Sequence, residues 1–296
     1  MANPRSDMSS ERAQGSNYAL RAEDFPEEIR RLVLQGRILN KALGGLIAER
    51  SDAEIAEMER VLDLGCGPGS WTVEVAAAYP HLQMVGVDIG EKVLYYAREL
   101  AARQDLQNVT FHQMDLLKPL EFPDESFDLI NIRLLVFGLT RQTWPVVLRE
   151  CHRLLRKGGV LRLTETDGPG GHTTSAAYDI FFELIYESAR RGGYGFAENN
   201  RSLALTAMLQ PMLRQARFVD VKSQAYALDF SNGSPYHDDL MQDAILIGKN
   251  FMPSIVKGGI TSQEVGERIF EKAITAMESD DFYGLWYWLT AWGRKP

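Results

Sequence analysis

The sequence predicts an α/β protein: an open, doubly wound, mostly parallel sheet with helices on both faces. Three observations predict it. Short apolar strand-like runs alternate with helical segments of about 10 to 15 residues between positions 61 and 166, the rhythm of right-handed crossover units. A turn carrying Gly65, Gly67 and Gly69 follows the first strand directly. Aspartates 63, 88 and 115 fall at the ends of three consecutive strands, the edge at which open α/β sheets bind ligands.

Taken in order, residues 1–17 are polar, lack the apolar core of a signal peptide and read as a flexible tail. Pro26, suited to a first helical position, opens a helix over 27–49 whose Ile29, Leu32, Val33, Leu39, Leu43 and Leu46 form an apolar stripe. Residues 52–60 extend that helix or link it onward. Strands are expected at 61–64, 83–88, 109–113, 127–132 and 160–166. Helices are expected at 71–79, 91–104 and 143–155, the last ended by Lys157-Gly158-Gly159. The breaker cluster 168–171 then introduces two helices, 175–191 and 202–216, read as an insertion over the strand ends at about 170–216. A sixth strand at 218–230, helices near 238–251 and 262–278, and an aromatic edge strand over 282–292 complete the chain. No second independent domain is indicated, so 61–296 forms one domain preceded by the helical segment 18–60.

Composition narrows the function. With Lys+Arg 32 against Asp+Glu 40 the formal charge is −8, the reverse of the basic excess that phosphate neutralisation asks of a nucleic-acid binder. The same balance argues against a chain held on anionic lipid, and no apolar run reaches the roughly 20 residues of a membrane span. Two cysteines, Cys66 and Cys151, cannot staple a secreted fold. A cytoplasmic protein acting on small molecules is expected, with no metal site and with its oligomeric state open.

The chemistry lies in Val61-Leu62-Asp63-Leu64-Gly65-Cys66-Gly67-Pro68-Gly69. Glycines at alternate positions after a buried strand let the backbone turn sharply and approach a ligand beside a helix N-terminus. A dinucleotide fingerprint wants Gly or Ala where Ser70 stands and needs no acid at position 63. Asp88, 23 residues after Gly65, can accept both hydroxyls of a ribose; Asp115 can accept an adenine amino group, with Ile89, Met114 and Leu116 sandwiching the base. One such aspartate is as readily a turn cap; three beside this turn are a ligand pattern.

These residues resemble the class I S-adenosylmethionine-dependent methyltransferases. In that family the 63–69 run is the first motif, Asp88 the ribose acid and Asp115 the adenine acid; the 123–130 run matches its fourth strand and the 156–161 run the approach to its fifth. The likeness is strong over about 60–167 and holds in layout beyond, where the family adds a sixth strand and an antiparallel seventh. It implies a seven-stranded sheet and S-adenosyl-L-methionine as cofactor, S-adenosyl-L-homocysteine as product. It also implies that the glycine turn with Cys66 and Gly67 approaches the methionine portion, and that Arg133, just after strand four, holds its carboxylate or a substrate; from the residues alone Arg133 reads equally as a solvated helix-start residue. The 17–35 segment is similar to the leader of small-molecule methyltransferases related to a fungal secondary-metabolism regulator. By that likeness Tyr18, Arg31 and Gln35 fold over the cofactor as a lid, with Gly36 where that group often carries histidine.

The cofactor brings its own electrophile, so positioning at about 3 Å and exclusion of water are the protein's main contributions, and no catalytic residue is assigned. Glu165 and His172 are the expected substrate-pocket contacts. Among the other histidines, His81 and His152 read as helix-surface residues, His112 as packed and His237 as a loop residue near the pocket. Phe181, Phe182, Tyr186, Tyr194 and Phe196 offer an aromatic cover for a flat or apolar acceptor, or else core packing. The expected activity is methyl transfer to O, N or C of a small molecule. A non-methylating reaction, such as a pericyclic step, a cofactor-sensing regulator and a dehydrogenase are the alternatives.

Overall fold

The computed structural model of the chain describes residues 26–168 and 170–296. The predicted tail, Tyr18 and the other positions before 26 lie outside the described residues. Two helices come first, α1 (Pro26–Ala42) and α2 (Asp52–Ala56). Five strands and their crossovers follow: β1 (Arg60–Leu64), α3 (Ser70–Ala78), β2 (Gln83–Asp88), α4 (Glu91–Ala102), β3 (Val109–Gln113), β4 (Phe127–Arg133), α5 (Trp144–Leu154) and β5 (Leu155–Thr166). The remainder comprises β6 (His172–Thr173), α6 (Ala176–Arg191), α7 (Leu205–Gln215), β7 (Val219–Asp229), α8 (His237–Lys257), α9 (Gln263–Met277) and β8 (Gly284–Arg294).

Strands β3, β2, β1, β4 and β5 pair in parallel in that order. β8 runs antiparallel beside β5, with β7 antiparallel to β8 in turn and the two-residue β6 pairing its start. Alternation along each strand feeds two cores. Val61 and Leu129 point to one face and pack with Trp71 and Val75 of α3. Leu62, Ile130 and Leu161 point to the other, toward Leu148 and Cys151 of α5 and Leu209 and Leu213 of α7. The doubly wound class is therefore as expected.

Four expectations shift. The first helix stops at Ala42 instead of 49, because Gly44 and Gly45 take φ of +74° and +139°, which no helix tolerates. β5 begins at Leu155, and Lys157-Gly158-Gly159 lies within it. The aromatic strand β8 is interior: β5 and β7 flank it, so Trp286 and Trp288 are buried while Leu285 and Tyr287 alternate outward. The cap over the strand ends is built by α6 with α8 and α9; α7, expected as cap, packs on β5, β7 and β8. α1 docks on α8 and α3.

Candidate active site

Three left-handed glycines, with φ of 71°, 55° and 77° at positions 65, 67 and 69, carry the chain from β1 into α3. The amides of Gly65 and Cys66 both donate to the Val87 carbonyl, at 2.8 and 3.0 Å, which fixes the turn against β2. A Cβ on Gly65 would sit 2.6 Å from Leu135 Cδ2, whereas one on Gly67 would meet nothing within 4 Å. The turn is thus closed toward the loop after β4 and open at Gly67, a cradle where a ligand can reach backbone. The Cys66 thiol is buried, and burial with the nearby Asp88 and Asp63 charges pushes its pKa well up, so it is no nucleophile.

Asp88 is held from both sides. Its Oδ2 accepts the Gly67 amide and its Oδ1 the Gly90 amide, each at 2.9 Å. Burial raises its pKa, and these amides work against that rise. The ends of β2 and β3 are laced together: Met114 N donates to Asp88 O at 3.0 Å and Gln113 Nε2 to Ile89 O at 2.9 Å. Asp88, Ile89, Met114, Asp115 and Leu116 therefore form one rim, all of them half-buried. Asp115 caps its own turn, its Oδ1 accepting the Leu117 amide at 3.0 Å.

Asp63 stands inside the molecule rather than on that rim. It is 3% exposed and accepts from Thr72 Oγ1 at 2.6 Å and Asn131 Nδ2 at 2.8 Å. Burial raises its pKa against those bonds and the charges of Arg133 and Arg162. Asn131 in turn accepts from Arg162 Nη1 at 2.7 Å, and Arg162 pairs with Glu49 at 2.8 Å. Since Asp63, Asn131 and Arg162 share one register row across β1, β4 and β5, a buried polar line runs beneath α3. Arg133, at the end of β4, donates to Asn40 of α1 at 2.5 Å, and burial lowers its pKa to about 10. Next to it, a Cβ on Gly36 would lie 2.6 Å from Ser70 Cβ, so the absent side chain lets α1 lie directly on the start of α3.

A partly open pocket of about 60 Å³ adjoins this arrangement. Arg31, Leu32 and Gln35 of α1 line it together with Leu134, Val136 and Phe137 after β4, Thr166 of β5, Ile247 of α8 and Trp286 of β8. Leu135, between two of these, is the residue against Gly65, so cavity and glycine turn share a wall. The Trp286 Nε1 donor is satisfied by Thr166 Oγ1 and the Gly168 carbonyl, each at 2.9 Å. Arg31 is clamped by Glu28 at 2.7 Å and Asp243 of α8 at 2.8 Å, with Asn250 Nδ2 on Glu28 at 2.6 Å.

Glu165 is fully buried behind the wall: the Leu135 amide donates to its Oε1 at 2.7 Å, and that of Val136 bonds the same carboxyl. Its Oε2 has no partner among the described residues, and burial drives its pKa well up. It thus shapes the wall rather than lining the cavity. His172 is corrected outright: it is exposed on β6 with its ring 5.5 Å from that of Tyr287, on the opposite face of β8 from Trp286. His237, expected in a loop, opens α8 and is buried, its Nδ1 3.0 Å from the Phe230 carbonyl. His112 is exposed rather than packed, and His152 is half-buried, its ring 5.4 Å from that of Phe218. Phe181, Phe182 and Tyr186 are core residues; Tyr194 and Phe196 pack at its margin.

Comparison with known proteins points the same way. A family model described as a methyltransferase domain matches residues 61–159, from β1 into β5 and thus across the glycine turn and all three aspartates. Over that stretch the chain carries a methyltransferase domain, in agreement with the resemblance to the class I S-adenosylmethionine-dependent methyltransferases. S-adenosylmethionine is its cofactor. The enzyme is 29% identical over 178 residues, 57% of its own length and 74% of the relative's, to a demethylmenaquinone methyltransferase of Geobacillus stearothermophilus. It is 26% identical over 191 residues, 59% and 74% of the two chains, to one of Staphylococcus aureus. A Haemonchus contortus phosphoethanolamine N-methyltransferase, solved with phosphomonomethylethanolamine and S-adenosylhomocysteine, shares the fold at 18% identity. That match has a TM-score of 0.53 over 95% of this chain and 60% of the other. Sequence reasoning passed over Leu134, Val136, Phe137, Ile247 and Trp286; only the apolar Leu134-Leu135-Val136-Phe137 run after a polar strand end carried a signal.

Proposed function

We propose that the enzyme methylates a flat, largely apolar small molecule seated where the cavity bounded by Trp286 and Leu134 lies, with α1 as the lid over it. The observation that carries this reading is the shared wall: Leu135 touches the glycine turn while its neighbours face the apolar space. Asp88 takes the ribose hydroxyls, Asp115 the adenine amino group, and Ile89, Met114 and Leu116 enclose the base. The open Gly67 backbone gives room for the methionine portion. Arg133, with guanidinium donors beyond the one on Asn40, takes its carboxylate. Asp63 supports these groups from beneath. When bound, the cofactor supplies a methyl on a sulfonium; the chain's residues then have to orient the acceptor in line and keep water away.

A space of about 60 Å³ holds a few waters and no aromatic ring, so its walls must widen to admit an acceptor. The name of the curated relatives, demethylmenaquinone methyltransferase, agrees with a flat acceptor; the satisfied Trp286 indole offers such a ring a face rather than a donor. Gln35 is the polar group on the lid side that can orient an acceptor oxygen. Among the described residues the ionisable group lining the cavity is Arg31, already held in its ion pairs with Glu28 and Asp243, which favours acceptors with an already acidic or nucleophilic atom, such as phenols.

The test is release of S-adenosylhomocysteine from the full chain with naphthols and hydroquinones against phosphoethanolamine and other polar amines. Turnover of the flat phenols, cut severely by Trp286→Ala, is the expected result. Turnover of polar amines alone, or turnover indifferent to Trp286→Ala, refutes the acceptor class. Cofactor uptake without any methyl transfer would favour a non-methylating step.

A further inference from the structure

On the α5–α7 side of the sheet lies a second, larger concavity of about 470 Å³, within the size range of small-molecule sites. Leu148, Pro145 and Met212 give it an apolar floor; Arg149, His152 and Arg217 stand around it. Arg149 and Arg217 are exposed and have no ion-pair partner among the described residues. Arg153, also on its wall, is by contrast neutralised by Glu150 and Asp124 at 2.6 Å each. In a chain of formal charge −8 this is a local excess of unbalanced positive charge.

Two further features point to an occupant. His152 Nε2 is buried and has no hydrogen-bond partner among the described residues, an exception to the rule that buried polar atoms are paired. Arg217 also takes a left-handed backbone, φ 68°, at the turn from α7 into β7, a conformation that glycine adopts at far less cost.

We propose that this groove binds a soluble small anion with an apolar body, such as an aryl phosphate or aryl carboxylate. Arg149 and Arg217 hold the charge, the His152 ring stands on the wall, and Leu148 and Met212 lie under the body. The site is separate from the methyl-transfer cavity: it opens on the α5–α7 face, whereas α1, the loop after β4 and α8 enclose the other. Burial, together with the charges of Lys295 and Arg217, lowers the His152 pKa; a bound anion opposes that and raises it.

The test uses the full chain with labelled histidine rings and methionine methyls, titrated with 1-naphthyl phosphate, 1-naphthol and inorganic phosphate. Saturable shifts of His152 and Met212 with the aryl phosphate are expected, with affinity roughly tenfold or more above that of either fragment. Arg149→Ala and Arg217→Gly should each weaken it by roughly tenfold. Arg217→Gly should raise Tm at the same time, which separates lost binding from lost folding. The proposal fails if the shifts do not saturate at millimolar ligand, if both variants bind as the parent does, or if the shifts centre on Trp286. Arginine-dependent recruitment to anionic phospholipid vesicles without binding of the free aryl phosphate would also overturn it, in favour of a lipid surface.

Discussion

At Asp88 one carboxylate serves two demands, since the amides that organise the glycine turn occupy the same oxygens assigned to the ribose. A carboxylate has about four lone-pair sites, so both demands can be met together. Asp88→Asn keeps an acceptor for one amide and loses the charge; calorimetry should show S-adenosylmethionine binding weaker by roughly tenfold or more, as for loss of a charge-assisted hydrogen bond. Unchanged affinity would remove Asp88 from the ribose. Glu165 gives a second residue-level expectation. Glu165→Leu leaves the Leu135 and Val136 amides unpaired in the interior, at a cost of about 2–5 kcal/mol in urea unfolding. Burial lifts the Glu165 pKa above its reference value of 4.5. An acid shifted upward stabilises fully below its unfolded pKa and loses that contribution as pH rises through its folded pKa. Relative to Glu165→Gln, which cannot ionise, the parent should therefore lose stability as pH rises above about 4.5. A difference that stays constant with pH would mean the carboxyl carries no raised pKa.

Among the elements, α1 is the one whose position depends on distant residues. Its Arg31 pairs with Asp243, 212 positions away, its Asn40 meets Arg133, and its Gly36 lies on Ser70. Breaking a buried ion pair on one side costs about 3–5 kcal/mol, part of which Glu28 recovers here by remaining on Arg31. Asp243→Ala should accordingly loosen α1 before the sheet, seen as faster amide exchange over α1 with β1 and β4 still protected; equal protection of α1 would show that the clamp does not hold it. Removing residues 1–25 should weaken cofactor retention if Tyr18 belongs to the lid, and equal affinity in the shortened chain would dismiss that role. The same helix marks where the sequence stopped being readable. Strands β1 to β4 and the rim acids follow from local pattern, because each needs only its own residues to be identified. The partners of Arg31, the Arg162–Glu49 pair and the wall that Glu165 supports depend on contacts across the chain, which no local spacing encodes. The interior place of β8 was hidden for the same reason: its Trp286-Tyr287-Trp288 alternation shows one buried face and says nothing about which strands flank it.

Over the whole molecule, five parallel strands present their carboxyl ends to one edge, and the remaining chain covers that edge. The cap draws on α6 from one segment and on α8 and α9 from another, so closing it requires the last third of the sequence to fold back over β5. No helix among the described residues is long and apolar enough to cross a membrane, and no cluster of them is fit to hold a metal ion. A crystal structure of the full chain with S-adenosylhomocysteine tests the cofactor's place along that sheet edge most directly. It should show the ribose hydroxyls on Asp88, the adenine between Ile89 and Leu116, and the sulfur directed at the space bounded by Leu134 and Trp286. A nucleoside lying elsewhere, or a sulfur turned away from that space, would contradict the account.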